Sequence, residues 1–179
     1  MTDDSQGSPM SHIGDLLERT LDPVSLDEID QRVLTILSED STISQRALSA
    51  KVGMSAPAIA DRVSRLERNG VIQRRGIEVD WSALGYPMLV ILPINISGHV
   101  DGRVVVERLQ SLPHLTELLV LTGTYDMMAR FRLRDYSHLQ ELLLEKIWQI
   151  PGIERVETML SLGKVRGEHP LSRLVLPQD

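Results

Sequence analysis

Between Leu26 and Glu39 apolar residues fall at Ile29, Val33, Ile36 and Leu37, the i, i+4, i+7, i+8 spacing of one helical face. Ser25 is the candidate N-cap, and Glu28 three residues on completes a capping box. A second, shorter helix starts after Ser44 and turns Ala47, Leu48 and Val52 inward. Gly53 then supplies a tight turn that calls for positive φ. Ser55 caps a third helix with Pro57 in its first turn, where the missing N–H costs nothing. Asn69-Gly70 closes that helix. Its core stripe is Ile59, Val63 and Leu66. Three capped helices with a glycine turn between the second and third predict a helix-turn-helix arrangement, and a plain three-helix bundle would carry the same pattern. Val71 to Val79 reads as a trailing strand with Arg74 and Arg75 at its edge.

From Met88 the period changes. Met88 to Ile96 is nearly all apolar and predicts a strand buried on both faces. Residues 99–112 form a helix with Val105, Leu109 and Leu112 inward. Leu115–Leu121 and Met127–Leu133 are strands joined by a hairpin turn at Thr122-Gly123-Thr124-Tyr125. Ser137–Ile150 is a helix with Leu139, Leu143, Ile147 and Ile150 on one face, ended by Pro151-Gly152. Ile153–Leu162 is the last strand. This βαββαβ order predicts a ferredoxin-like split βαβ domain. The fold class is therefore α+β: a helix-turn-helix domain over 26–80, a linker at 81–87 and the βαββαβ domain over 88–167. Residues 1–25 read as a flexible acidic extension, in which Ile13, Leu16, Leu17 and Leu21 have the spacing of a short amphipathic helix. Residues 168–179 read as a tail.

In the strand from Met127, the residues Met127, Ala129, Phe131 and Leu133 suit the helix-packed face. Met128, Arg130 and Arg132 take the other face, where Leu119 and Leu121 of the preceding strand join Met128. If Thr122 and Tyr125 pair across the turn, Glu117 lies opposite Arg130. A sheet face carrying Leu119, Leu121 and Met128 is seldom left in water, and a second copy of the same sheet would cover it as a twofold dimer. The competing picture is a monomer with a mixed, solvated outer face.

Composition narrows the chemistry. The 179 residues include no cysteine, which removes disulfides, thiolate nucleophiles and zinc–thiolate or iron–sulfur sites. His12, His99, His114, His138 and His169 form no i, i+4 pair, and no His/carboxylate cluster suggests a metal. No apolar run approaches the roughly 18 residues of a membrane span. The opening residues lack the basic-then-apolar pattern of an export signal, so a cytoplasmic protein with no cofactor is expected.

The formal net charge is −6, but it is unevenly placed. Residues 1–25 carry Asp3, Asp4, Asp15, Glu18 and Asp22 against Arg19 alone. Residues 41–76 carry Arg46, Lys51, Arg62, Arg65, Arg68, Arg74 and Arg75 against Asp61 and Glu67, a local surplus of +5. Arginine suits bidentate contacts to phosphate and guanine. At about 100° per residue, Ala58, Asp61, Arg65 and Arg68 fall away from the core stripe of the third helix, with Arg62 on its flank. Ser55 and Ala58 near the helix start would let the backbone approach base edges. The candidate DNA-reading set is Ser55, Ala58, Asp61, Arg62, Arg65, Arg68, Arg74 and Arg75; a solvated basic helix face is the alternative.

Several short patterns, in this order and spacing, give the chain a resemblance. They are Leu26-Asp27-x-x-Asp30 with Leu34 and Leu37, then Val52-Gly53-Met54-Ser55. Arg62-Val63-x-Arg65-Leu66-Glu67-x-x-Gly70-Val71-Ile72 follows, then Gly85-Tyr86 and Thr122-Gly123-Thr124-Tyr125-Asp126. Over about 26–167 the chain resembles the Lrp/AsnC (feast/famine) transcriptional regulators. The resemblance implies a DNA-binding helix-turn-helix domain, and a second domain that builds dimers, often octamers, and binds amino acids or related metabolites. It places effectors near the loop matched by Gly123, Thr124, Tyr125 and Asp126. There Asp126 could accept from a ligand ammonium, and turn N–H groups could donate to its carboxylate. Asp126 could equally bond its own turn. The resemblance implies a regulator and not an enzyme. Two alternatives stay open: a tetrapyrrole (haem-pathway) decarboxylase of similar architecture, and an effector-free architectural DNA binder.

Overall fold

A computed structural model describes residues 13–17, 22–165 and 171. The chain divides into two compact units. One holds the three helices up to Val79. The other holds Asp80–Lys164 together with the N-terminal Ile13–Leu17.

In the first unit, α1 spans Glu28–Glu39, α2 Gln45–Val52 and α3 Ala56–Arg68. Ser44 and Ser55 cap α2 and α3 through their side chains, and Gly53 ends α2 at φ 79°. The α1 cap differs from the sequence expectation. It is Asp27, not Ser25, and the reciprocal partner is Asp30, not Glu28. The Asp27 Oδ1 accepts from the Asp30 N–H at 2.7 Å, and Asp30 Oδ2 accepts from the Asp27 N–H at 3.3 Å. Val33, Leu34, Leu48, Val52, Ile59, Val63 and Leu66 form the buried core, with Ile29, Ile36 and Leu37 packed around it. Ala47, expected inside, is exposed; Ser49 takes the inward place and donates its hydroxyl to the Arg46 carbonyl. The strand expected over Val71–Val79 does not form in this chain. Val71 and Ile72 fold back on the core through N–H bonds to the Leu66 carbonyl, while Gln73–Glu78 are exposed. A strand needs a neighbouring backbone to pair with, and no described segment supplies one.

The second unit is a sheet with strand order β2-β3-β1-β4, where β1 is Met88–Ile96, β2 Leu115–Val120, β3 Met127–Leu133 and β4 Ile153–Val156. The expected last strand is broken: β5, Met159–Leu160, pairs with β1 separately. Helices α4, Gly102–Gln110, and α5, Tyr136–Glu141, pack on the sheet face of Val90, Leu92, Ile94, Met127, Ala129, Phe131 and Leu133. α5 continues as a π turn over Leu142–Lys146 and a short 3-10 turn over Ile147–Gln149. The wider turn brings Leu142 into the buried set and leaves Leu143 at its margin. β1 is not buried on both faces: Leu89 and Ile91 are only half-buried.

Two segments that read as loose are built into this unit. The extension expected to be flexible places Ile13 in the core, 1% exposed, and Asp15 within 3.4 Å of Arg103 on α4. Gly14–Leu16 form one 3-10 turn with Leu16 and Leu17 exposed; Leu21 lies outside the described residues, as does the tail except Leu171. The expected linker 81–87 is a folded turn. Asp80 Oδ1 accepts from the Ser82 N–H at 2.8 Å, and the Tyr86 N–H donates to the Trp81 carbonyl at 2.8 Å.

Candidate nucleic-acid interface and effector loop

The arginines of α3 divide into two groups. Arg62 Nη1 donates to Asp27 Oδ2 at 2.6 Å and to Asp30 Oδ1 at 2.8 Å; Arg65 Nη2 donates to Asp30 Oδ2 at 2.5 Å. The Asp30 side chain is 1% exposed. The network is neutral, two carboxylates against two guanidiniums, and it ties the start of α1 to the middle of α3. The Asp30 N–H bond and then Arg62 hold the Asp27 carboxyl below its ordinary range, and the hydrogen bonds to Asp27 and Asp30 raise Arg62. Arg65, expected on the free outer face, thus leans to the α1 side as a cross-helix tie. Arg75 is also engaged, donating to Glu67 at 2.9 Å.

Arg68 and Arg74 are exposed and make no ion pair among the described residues; the same holds for Arg46 and Lys51 on α2. Ser55 and Asp61 are exposed and Ala58 half-buried, so the first turns of α3 present a small, open surface. This unit therefore keeps a free cationic set after its internal pairs are subtracted.

The hairpin between β2 and β3 has the expected register: Glu117 faces Arg130 and Leu119 faces Met128. Arg130 Nη1 donates to Glu117 Oε2 at 2.6 Å. Leu119 is 40% exposed, and Leu121, Met128, Leu89 and Ile91 are half-buried on the same side of the sheet. Gly123 takes φ 118°, a value side-chain-bearing residues rarely adopt.

The loop is fastened to its surroundings at three points. Asp126 Oδ2 accepts from the Ile96 N–H at 2.9 Å. Asn95 Nδ2 donates to the Thr124 carbonyl at 2.7 Å. The Tyr125 hydroxyl donates to Glu157 Oε2 at 2.8 Å, whose other oxygen accepts from Arg155 at 2.6 Å. The bond to Glu157 raises the Tyr125 pKa and keeps the phenol protonated. Asn95, Arg155 and Glu157 were not among the residues singled out by sequence. Glu157 sits where β4 and β5 are interrupted, and only the three-dimensional register brings it to Tyr125. Among the described residues no three His, Cys, Asp or Glu side chains are grouped to hold a metal, and no helix is long and apolar enough to cross a membrane.

A capped helix-turn-helix with free cations, followed by a ferredoxin-like domain with a fastened hairpin, defines a two-domain DNA-binding regulator. Comparison with known proteins gives the family. Residues 26–73 match the winged helix-turn-helix DNA-binding model, and 89–171 match the Lrp/AsnC ligand binding domain. The chain is similar to the HTH-type transcriptional regulator FL11 of Pyrococcus abyssi, 34% identical across 78% of this chain and 91% of the relative. It is also similar to the leucine-responsive regulatory protein of Rhizobium meliloti, 28% identical over 80% of this chain and 93% of that one. Among solved structures, AsnC of Escherichia coli superposes with a TM-score of 0.76 at 26% identity, covering 82% of this chain and 98% of that chain. A Neisseria meningitidis transcriptional regulator solved as an L-Met complex gives 0.78 at 19% identity, over 84% and 99%. The chain belongs to the Lrp/AsnC family of transcriptional regulators.

Proposed function

We propose that the protein acts as a twofold dimer that reads a palindromic DNA site and responds to a free amino acid or a related metabolite at the Gly123–Asp126 hairpin. The observation that carries the DNA reading is the free cationic set, Arg46, Lys51, Arg68 and Arg74, left on the helix-turn-helix unit after Arg62, Arg65 and Arg75 are paired. Arg68 lies on the outer face of α3 and is the residue assigned to base edges or phosphates. Ser55 and Ala58 are assigned to close approach of the helix start.

Two recognition helices are needed to span two half-sites about one helical turn apart. The dimer supplies them, and its supporting feature is the apolar sheet face around Leu119, Leu121 and Met128. The amino-acid reading is supported by the L-Met complex of the Neisseria structure and by the N–H groups of residues 122–125, which donate no backbone hydrogen bond among the described residues and lie beside the Asp126 carboxylate. The family match favours a regulator over the decarboxylase alternative.

The test is selection of bound sequences from a random DNA pool, repeated with Leu119→Asp. A palindrome should emerge from the wild type, with affinity falling steeply as salt rises. The charged variant should sediment as a monomer at micromolar concentration and lose at least tenfold in affinity, because each half-site is then held alone. Equal retention of operator and random DNA would make the protein an architectural binder instead. A wild type that is monomeric at that concentration would remove the dimer.

A further inference from the structure

The turn 81–86 that leads from the DNA-reading unit into β1 is fastened to the ligand domain at two rings. Arg132 on β3 lies over Trp81, its Cζ 5.8 Å from the ring centroid. Tyr86 packs on His114 at 4.9 Å between centroids, and His114 meets His138 edge-on at 4.7 Å. We propose that the Tyr86–His114–His138 cluster is a proton-operated latch, closed when both imidazoles are neutral, that fixes the turn at the start of the ligand domain to the rest of that domain.

Three features of geometry support it. His114 precedes β2 with φ 68°, the left-handed region, and its carbonyl accepts from the Arg132 N–H at 3.0 Å. The residue is held in a sparsely populated conformation by its surroundings, a condition that tolerates little added repulsion. His138, in the first turn of α5, uses Nδ1 as an acceptor for the Arg134 N–H at 3.4 Å. That bond requires an unprotonated Nδ1, so protonation turns the acceptor into a second donor facing an N–H. Two imidazolium rings in edge contact would also repel. The other charged groups facing the pair are Arg134, which opposes protonation, and Glu141 on α5, which favours it; Asp135 is engaged by the His138 N–H at 2.8 Å. Burial first, then His138 and Arg134, hold the His114 pKa below 6.5.

The sign follows from linkage. A base with a lowered folded pKa leaves the unfolded or opened state binding more protons. The closed state is therefore fully favoured above pH 6.5 and loses ground as pH falls through the lowered value. Acidification should free Tyr86 and the Trp81 turn at the start of the ligand domain.

The experiment uses the full chain carrying Trp148→Phe, so that Trp81 is the remaining tryptophan. Its fluorescence and the histidine Cε1–H resonances are followed from pH 8 to pH 5. The comparison is a double variant, His114→Asn with His138→Asn. Asparagine tolerates the left-handed conformation at 114, and its Oδ1 can replace the Nδ1 acceptor at 138. Without the substitutions, the Trp81 signal should change with a midpoint below 6.5, in step with His114; the double variant should show a flat profile. His138→Asn alone should move the His114 midpoint upward, because one neighbour opposing its protonation is gone. An unchanged Trp81 signal across the range, the same profile in the double variant, or a His114 midpoint indifferent to residue 138 would each overturn the latch. None of these readouts depends on DNA or effector binding, so the proposed function can fail independently.

Discussion

In the helix-turn-helix unit, two arginines are tied to one carboxylate that solvent barely reaches; at the hairpin, one carboxylate oxygen is tied to a backbone N–H. Both regions use charge for their own integrity, but they differ in what remains. The first unit keeps five exposed cations with no ion pair among the described residues, Arg32, Arg46, Lys51, Arg68 and Arg74, of which Arg32 donates to the Lys51 carbonyl. The hairpin keeps turn N–H groups and the remaining oxygen of Asp126. A polyanion needs many cations and little geometry, and a zwitterionic metabolite needs few groups held firmly. The rigid ties in each region suit the ligand proposed for it.

The largest effect should come from cutting the cross-helix network. Asp30→Ala removes the acceptor shared by Arg62 and Arg65 and one half of the α1 cap. A fully buried pair broken this way costs about 3–5 kcal/mol, but both guanidiniums are partly exposed and can turn to water. A loss of about 2–3 kcal/mol is expected, confined to the helix-turn-helix unit. Calorimetry should show that unit's transition falling while the ligand domain's stays. A melting profile within about 0.5 kcal/mol of the wild type would mean the network is ornamental.

The next contrast separates two arginines on one helix. Arg68→Ala should weaken operator binding by about 1–2 kcal/mol at roughly 150 mM salt and leave the melting temperature alone. Arg65→Ala should do the reverse, lowering stability more than affinity, since its guanidinium is held by Asp30. Gel retardation beside a melting curve for each variant decides it. If Arg65→Ala cost affinity with no loss of stability, Arg65 would leave Asp30 to contact DNA.

The helix-turn-helix was legible because Ser44, Gly53, Ser55 and Pro57 act locally, each through a backbone bond or a dihedral within a few residues. The strict alternation of Met127–Leu133 likewise fixed its two faces, and pairing Thr122 with Tyr125 across the turn set Glu117 opposite Arg130. What escaped was set by distant partners. Asp27 and Asp30 displaced Ser25 and Glu28 as the cap because they also bind arginines from α3. Ile13 reads as one apolar position of a short amphipathic helix in an acidic extension, and only the folded ligand domain shows it as part of that domain's core. Leu142 replaced Leu143 because a π turn changed the helical period, and Glu157 reached Tyr125 through a strand break that no periodicity announces.

The smallest effect expected is also the one that separates two roles for a single side chain. Asp126→Asn keeps the side-chain volume and one acceptor oxygen, so the Ile96 N–H still finds a partner while the negative charge is lost. Trading a charged acceptor for a neutral one in a half-buried site should cost about 0.5–1 kcal/mol. If Asp126 also receives a ligand ammonium, titration calorimetry with a panel of free amino acids should show binding to the wild type and none to the variant. Dimerisation and DNA binding should be retained. If Asp126 only fastens the hairpin to β1, the variant should melt lower and bind the same ligand as before. The difference matters for regulation, because an effector can shift assembly or DNA binding only by favouring one state over another. A residue that merely fastens the loop contributes equally with and without ligand, and cannot supply that difference.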